Sequence, residues 1–412
     1  MIDLVILREQ PAHVKELIAK KDPGFDIDRL VYLESQVRSL KIEVDNLRAQ
    51  KNELARQGKS GVDETIRTQA REISAKLKEK ETSLASLESD FTDLYLRCPN
   101  IIASDIPVGN KEANKVVKEV GSQPKFNFTP KNHVELGALN NWFDFEAAAI
   151  MTGSNFALYK NEGVKVVYAL MMFMFNNNVR HGFNPVLPPY LVNEKSLICA
   201  SNFPRFKDEV YSINDEDLYL TPTAEVNLTN MYRGHIFNAT DLPVHMTAWT
   251  SCFRREAGGY GAHERGLIRI HQFEKLELYT ICEPENSNQE LNAMVACAES
   301  ILQALGLHYR ISLLAAQDCS FASAKTYDIE VWMPGQGVYK EVSSSSNCTD
   351  FQARRAEMRY KSEQNGKTKL VHTLNASSLA LPRLLVALME TYQQEDGSIK
   401  LPDVLKNVSI SL

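Results

Sequence analysis

Two heptad seams separated by a short glycine turn constrain this chain more than any other feature. Leu30, Leu33, Val37, Leu40, Val44, Leu47, Lys51 and Leu54 recur at alternating intervals of three and four residues, as do Ile66, Ala70, Ile73, Leu77, Lys80, Leu84, Leu87, Phe91 and Leu94. That period keeps one stripe on one face of a helix, and the stripe must be buried against a partner helix. No proline interrupts either run, and Gln57-Gly58-Lys59-Ser60-Gly61 between them is too short for anything but an antiparallel hairpin. Helices of roughly 28–33 residues, at about 1.5 Å per residue, predict an arm ~40–50 Å long.

Such a hairpin can serve as a spacer, a dimerisation device or a recognition arm. From Arg48 to Lys80 it carries nine basic and five acidic side chains, a balance of +4 in a chain whose 46 basic and 52 acidic residues net −6. Lys51 and Lys80 occupy seam positions, where they weaken packing but extend their ammonium groups to water. A long, locally basic arm suits a phosphate backbone, with Arg48, Lys51, Arg56, Lys59, Arg67 and Arg71 as the candidate contacts. A merely solvated charged face is the plain alternative.

The remaining chain is long enough, at 412 residues in all, for one or two further domains, and its 44% apolar content supplies a sizeable core. Seven scattered cysteines with no C-x-x-C pair predict neither a disulfide framework nor a zinc knuckle, and suit a reducing cytoplasm. Met1-Ile-Asp3-Leu-Val-Ile-Leu-Arg8 has an early acid and no basic leader, unlike a signal peptide. The most apolar run, Val166–Phe175, is ten residues long, whereas a membrane span needs roughly 17–25. A soluble protein is expected.

Beyond a Pro- and Gly-bearing linker from Cys98 to Pro130, strands are predicted at 218–220, 248–255, 267–279, 309–314 and 326–333. Helices are predicted at 163–181, 225–233, 286–305, 350–360 and 379–395. Neither G-x-x-x-x-G-K-[ST] nor G-x-G-x-x-G follows a strand, so the common nucleotide folds are unsupported. The mixture predicts an α+β domain on an antiparallel sheet. Within 267–279, strand alternation places Ile268, Ile270, Gln272, Glu274, Leu276 and Leu278 on one face and Arg269, His271, Phe273, Lys275 and Glu277 on the other. A face of two cations, an acid, an imidazole and an aromatic ring is either a solvated sheet surface or a floor that stacks a base while cations hold its phosphates.

Phe253-Arg254-Arg255-Glu256, followed by Arg265 to Glu277, resembles motif 2 of the seryl-tRNA synthetases, class II aminoacyl-tRNA synthetases. In the same order, Gly182 to Pro189 resembles motif 1, the dimer interface, and Leu220-Thr-Pro-Thr223-Ala224-Glu225 resembles the serine-binding T-A-E. Tyr339 to Asn347 resembles the ATP strand, and Leu374 to Arg383, with Glu390-Thr-Tyr392, resembles motif 3. The coiled-coil hairpin is a hallmark of the family too, so the likeness spans the chain.

The resemblance implies a class II catalytic domain over residues 111–412, preceded by a tRNA-binding domain over 1–110 whose coiled-coil arm occupies about 29–97. The implied reaction joins serine to ATP as seryl-adenylate and transfers it to the 3′ end of tRNA(Ser), and of tRNA(Sec) if the host has one, in a cytoplasmic homodimer. Arg254 is then the fork bridging the α-phosphate and the serine carboxylate, a task a lysine serves poorly. Arg383 takes the far side of the adenine or the γ-phosphate. Phe273 stacks the adenine and Glu256 reads its amino group, with Arg255, Ile270, Val342 and Ser343 completing the ATP surface. Glu341 and Ser344 hold Mg²⁺, a hard ion suited to oxygen; no zinc is implied. Thr223, Ala224 and Glu225 receive serine, Glu225 pairing its ammonium, while Glu277 accepts from its hydroxyl and Ser377 lies alongside. Read singly, Thr223, Ser377 and Ser378 are as well explained as helix caps.

Some positions depart from the family pattern. Ala376, Ser378 and Pro382 stand where glycines are usual, and Arg255 where serine is usual. Pro382 is tolerable in a first helical turn, whereas Ala376 and Ser378 would narrow the floor of the pocket. The loop Tyr260-Gly-Ala-His263-Glu would meet the tRNA acceptor end. Two other readings share the fold: a paralogue that charges a carrier protein, and a catalytically silent tRNA-binding protein.

Overall fold

The computed structural model describes residues 1–57, 64–256, 266–362 and 366–406. Two compact units divide between Pro99 and Asn100. In the first, helices α1 (Leu4–Glu9) and α2 (Pro11–Lys21) precede the long pair α3 (Ile27–Gln57) and α4 (Glu64–Leu96). Leu30, Leu33, Val37, Leu40 and Val44 of α3 and Leu77 of α4 are buried, so the heptad stripe is the seam of the hairpin. Toward its far end Lys51 is exposed and Lys80 half-buried. Lys41–Glu88, at 2.7 Å, and Lys80–Glu43, at 2.7 Å, join the antiparallel helices from side to side. As exposed pairs they fix register more than they add stability.

In the second unit β1 (Lys115–Val120) leads into helices α5 (His133–Asn140), α6 (Phe145–Thr152) and α7 (Glu162–Arg180). Next come β2 (Asn184–Val186), β3 (Leu191–Val192), α8 (Glu194–Cys199), β4 (Tyr219–Leu220), α9 (Ala224–Met231) and β5 (Ile236–Asn238). The long strands β6 (Val244–Phe253) and β7 (Gln272–Cys282) are followed by α10 (Ser287–Ala304), β8 (Tyr309–Leu313), β9 (Lys325–Met333) and β10 (Val338–Asn347). The described chain closes with α11 (Phe351–Ala356), β11 (Arg359–Lys361), β12 (Thr368–Leu370), β13 (His372–Ala380) and α12 (Leu381–Tyr392). Eight strands form one sheet in the order β1-β8-β9-β10-β13-β7-β6-β2, antiparallel except where β2 joins β6. This is the expected α+β architecture on an antiparallel sheet.

The core lies where α7, α10 and α12 cover one face of that sheet, and it includes Leu170, Ile301, Leu385, Ile329 and Leu276. Alternation along β7 turns Leu276 and Leu278 toward the helices and Phe273, Lys275 and Glu277 toward the opposite side. That sorting of faces is the one the sequence predicts.

Three boundaries differ from expectation. The strand predicted from Leu267 begins at Gln272, because the peptide groups before it bond elsewhere: the Leu267 N–H to His133 and the Ile268 carbonyl to Arg383. The helix predicted over 350–360 stops at Ala356, where Glu357 takes a left-handed φ of 56°, and β11 follows. Ser377 and Ser378 lie in β13, paired with β7 through Ser377↔Glu277, and α12 has Ala380 as N-cap without a side-chain cap bond. Long-range pairing overrides the local cap signal there. Pro382 falls in the first turn of α12, where its missing N–H leaves no helix bond unmade.

Leu276→Ala should remove about 2–5 kcal/mol of stability, since Leu276 is fully buried beneath the cavity floor. Urea denaturation followed by circular dichroism checks this.

Candidate active site

On the sheet face away from α7 and α10 opens a cavity of 320 Å³, lined from β7, β10, β13, the start of α9, the first turn of α12 and the segments 254–256 and 267–270. Its walls hold two groups of polar side chains.

The first group centres on a buried charge pair. The Lys275 ammonium meets the Glu277 carboxylate and donates to Thr223 Oγ1 at 2.8 Å, while Thr223 Oγ1 donates to Glu277 Oε2 at 3.2 Å. Thr223 is also the N-cap of α9, accepting from the Glu225 N–H at 3.3 Å. Cap and site are therefore one hydroxyl, not alternatives. Glu225 Oε1 accepts from Gln352 Nε2 at 2.6 Å and Asn375 Nδ2 at 3.0 Å, both neutral amides. Burial, and after it the nearby Glu277 charge, pushes the Glu225 carboxyl up to about 7. With Lys275 committed to Glu277, a small cationic ligand is what a Glu225 carboxylate here would best accept.

The second group is aromatic and cationic. The Arg254 guanidinium lies over the Phe273 ring with Cζ 5.3 Å from its centroid, and Nε donates to the Pro222 carbonyl at 3.3 Å. Arg383, from α12, donates to the Ile268 carbonyl at 3.2 Å and the Glu341 carbonyl at 2.9 Å, and stands 3.5 Å from the Glu341 carboxylate. Leu267, Ile268, Ile270 and Val342 supply apolar wall. A planar ring, flat apolar walls and two guanidinium forks form a surface suited to a base and its phosphates.

A register shift between Glu341 and Ser343 breaks the alternation of β10 and sets Glu341 and Ser344 on the same side. Asp328 pairs with Ser344 across β9, and its buried Oδ1 has no hydrogen-bond partner. Burial, then the Glu341 charge, raises the Asp328 carboxyl well above the usual carboxylate range. Among the described residues no three His, Cys, Asp or Glu side chains could cage a metal. The donor set here, a carboxylate and a hydroxyl with an unsatisfied carboxyl oxygen behind them, fits Mg²⁺, which keeps several waters and takes phosphate oxygens as further ligands.

Thus Thr223, Glu225, Arg254, Glu256, Ile270, Phe273, Glu277, Glu341, Val342, Ser344, Ser377 and Arg383 all line the cavity. Three residues expected there do not. Ala224 is packed in the core beneath α9. Arg255 is exposed, with its N–H on the Glu209 carbonyl. Ser343 is turned away and donates to the Ser377 carbonyl at 2.6 Å. Glu256, expected to read an amino group, has its carboxylate on Arg269 Nε at 2.5 Å.

Ala376 and Ser378 leave the floor of the cavity unchanged. Alternation on β13 turns Ala376 into the core with Leu278 and Leu374, and Ser378 donates to Asn178 of α7 at 2.7 Å. Gly258 to Arg265, with Tyr260 and His263, and Lys59 of the arm lie outside the described residues. Of the other arm candidates, Arg48 pairs with Glu81 at 2.9 Å, Arg56 and Arg67 approach Glu53 and Glu64, and Lys51 and Arg71 are exposed. Gln352 and Asn375 join Glu225 without a local sequence signal: Asn375 shares the face of Ser377 only because 372–380 forms a strand that the sequence pattern does not predict, and Gln352 lies on α11.

Residues 206–392 match the family model described as the tRNA synthetase class II core domain (G, H, P, S and T), which is the class that this sheet and cavity define. Residues 1–102 match the seryl-tRNA synthetase N-terminal domain. A serine–tRNA ligase of Ureaplasma parvum is 44% identical over 414 residues, covering 98% of this chain and 99% of the relative. That of Chlamydia abortus is 43% identical, covering 98% and 97%. The crystal structure of seryl-tRNA synthetase from Pyrococcus horikoshii complexed with ATP superposes with a TM-score of 0.90 at 34% identity, covering 99% of this chain and 98% of that one. The chain belongs to the seryl-tRNA synthetase family.

Glu225 offers a pH test. Its folded-state pKa, about 7, lies above the ordinary 4.5, so the stability it contributes is full below about 4.5 and lost as pH rises through about 7. Glu225→Gln, which keeps both amide contacts on its oxygen, should melt higher than wild type at pH 8 and gain far less at pH 5. Differential scanning fluorimetry of the ligand-free protein across this range checks it.

Proposed function

We propose that this chain activates L-serine with ATP to seryl-adenylate and transfers the seryl group to the 3′ end of tRNA(Ser). The observation that carries the reading is the pairing, in one cavity, of a carboxylate group able to receive a small ammonium ion with an aromatic and guanidinium group able to receive a nucleotide. The full-length likeness to serine–tRNA ligases supports it.

In this reading the serine ammonium meets Glu225, whose buried carboxyl ionises as it gains a cation. The serine hydroxyl donates to Glu277, with Ser377 beside it. An analogue lacking the hydroxyl would leave Glu277 Oε1, the oxygen that Lys275 and Thr223 do not engage, without a donor, a cost that discriminates on the order of 10⁴-fold. Arg254 leaves its resting place on Phe273 so that adenine stacks on the ring. Its fork then spans the serine carboxylate and the α-phosphate, so that a carboxylate oxygen bonds the α-phosphorus as the α–β bond breaks and pyrophosphate leaves, with the charge neutralised throughout. Arg383 serves the adenine or the γ-phosphate. Mg²⁺, which Glu341 and Ser344 would hold, neutralises the phosphates when bound. Attack by the tRNA 3′-hydroxyl on the adenylate carbonyl then expels AMP.

We assign residues 1–110 to tRNA binding, with Arg48, Lys51, Arg56, Lys59, Arg67 and Arg71 of the arm against the long variable region of tRNA(Ser), recognised by shape. tRNA(Sec) would be read the same way. A homodimer acting in the cytoplasm completes the proposal. A paralogue that charges a carrier protein would have no use for such an arm, and a silent binding protein no use for the paired cavity.

Serine-dependent ATP–pyrophosphate exchange followed by serylation of tRNA is the expected outcome; no exchange would refute the reading. Glu277→Gln should raise the KM for serine about tenfold or more while that for ATP moves less than about twofold. Deleting residues 48–80 and reclosing the hairpin should leave exchange intact and abolish tRNA charging. Loss of both would make the arm purely structural.

A further inference from the structure

Behind the Leu267–Ile268 wall lies a buried pair, neither member of which lines the cavity. His133, at the start of α5, and Glu390, on α12, are 2% and 0% exposed. Glu390 Oε1 accepts from the His133 N–H at 3.0 Å, faces His133 Nδ1 at 3.2 Å and accepts from Gln336 Nε2 at 3.0 Å; Glu390 Oε2 accepts from the Gly335 N–H at 2.9 Å. On the other side of the imidazole, Nε2 meets the Leu267 N–H at 3.2 Å. A peptide N–H can only donate, so Nε2 must accept. His133 is then the neutral tautomer with its proton on Nδ1, held there by the Glu390 carboxylate.

A second peptide group of the wall, two along the chain, is pinned from the same helix. Arg383 takes the Ile268 carbonyl at 3.2 Å, and Glu390 follows Arg383 by seven residues, two turns on the same face of α12. One helix thus grips two peptide groups of the wall with one between them: the 268–269 group directly from inside the cavity, and the 266–267 group through His133 from outside. Close approach is built in. Gly266 has a φ of +69°, and a Cβ there would stand 2.3 Å from His133 Nε2; a Cβ at Gly335 would stand 2.2 Å from the Lys131 carbonyl oxygen. Only glycine fits at both contacts.

We propose that His133 and Glu390 are positioning residues for the nucleotide, fixing the Leu267–Ile268 wall on which the adenine of ATP rests. The inference rests on the ATP reading given above. Its consequence is selective: loosening the wall weakens ATP and spares serine, whose group of residues is held by α9, β7 and β13.

The test is ATP–pyrophosphate exchange, with KM measured separately for ATP and serine, and equilibrium binding of ATP to the full-length chain. His133→Asn keeps a donor for Glu390 but cannot reach Leu267; His133→Gln places an acceptor near the position of Nε2. His133→Asn should weaken ATP about tenfold, with the serine KM within about twofold, and His133→Gln should recover most of the loss. An unchanged ATP KM in His133→Asn, equal losses for ATP and serine, or identical behaviour of the two variants would overturn the assignment. Glu390→Gln, of equal volume, carries the same ATP-selective expectation should His133→Asn fail to fold, and a loss that is not ATP-selective overturns it. If wild type shows neither exchange nor ATP binding, both this inference and the ATP reading fall; normal wild-type exchange with insensitive variants removes this inference alone.

Discussion

The cavity depends on a charge pair that would be costly to bury anywhere else in this sheet. Lys275 and Glu277 follow each other at a spacing of two on β7, so both must face the same way, and both are nearly inaccessible. Ion pairs withdrawn from water are tolerated only when their remaining hydrogen-bonding capacity is met. Thr223 does so from α9, bonding both partners at once. Because that threonine also caps α9, the helix is anchored to the strand at its first turn, and Glu225, two residues on, is carried into the same space. Gln352 and Asn375 close around it from two further elements. The polar group is therefore a structural necessity before it is a binding site, and its geometry is set in advance of any ligand.

The nucleotide half is organised differently. Glu256 is tied to a cation, Arg269, but the two guanidinium forks are held loosely: Arg254 lies on the Phe273 ring and Arg383 donates to backbone carbonyls. These are contacts that phosphate oxygens or a purine can replace at small loss, since charge-assisted bonds to phosphate exceed those to a neutral carbonyl. Rigidity comes instead from behind, through α12, which packs its apolar side in the core and holds two peptide groups of the wall, one by Arg383 directly and one by Glu390 through His133. A preorganised small-ligand group beside a replaceable set of nucleotide contacts matches a reaction whose catalysis is mainly placement and charge neutralisation.

The arm obeys simpler physics. Its seam is apolar near the base and admits lysines toward the tip, and its cross-helix ion pairs are exposed. It has the stiffness of a two-helix rod, and its distal part, residues 48–80, carries a charge opposite in sign to that of the rest of the chain, which favours a polyanion without demanding a sequence-specific contact.

By itself the sequence determined the hairpin, the antiparallel α+β class and the faces of β7, and its likeness to the seryl-tRNA synthetases pointed to most of the other residues around the cavity. The seams and the faces depend on periods of 3.5 and 2, which are properties of neighbouring residues and survive without knowledge of any partner. Tertiary structure alone decided where β7 begins, that Ser377 belongs to a strand and not to a helix cap, and that Ala376 and Ser378 point into the core. Ile268 and Ile270 fit the alternation locally, yet their segment is claimed by His133 and Arg383, the one 134 residues earlier in sequence than Leu267 and the other 115 later than Ile268. The same holds for Glu225, whose carboxyl is raised by burial among side chains from 277, 352 and 375. A local pattern says which way a side chain points along its own element; only the packed sheet and helices say what stands opposite, and it is the opposite group that sets charge state, register and the shape of the site.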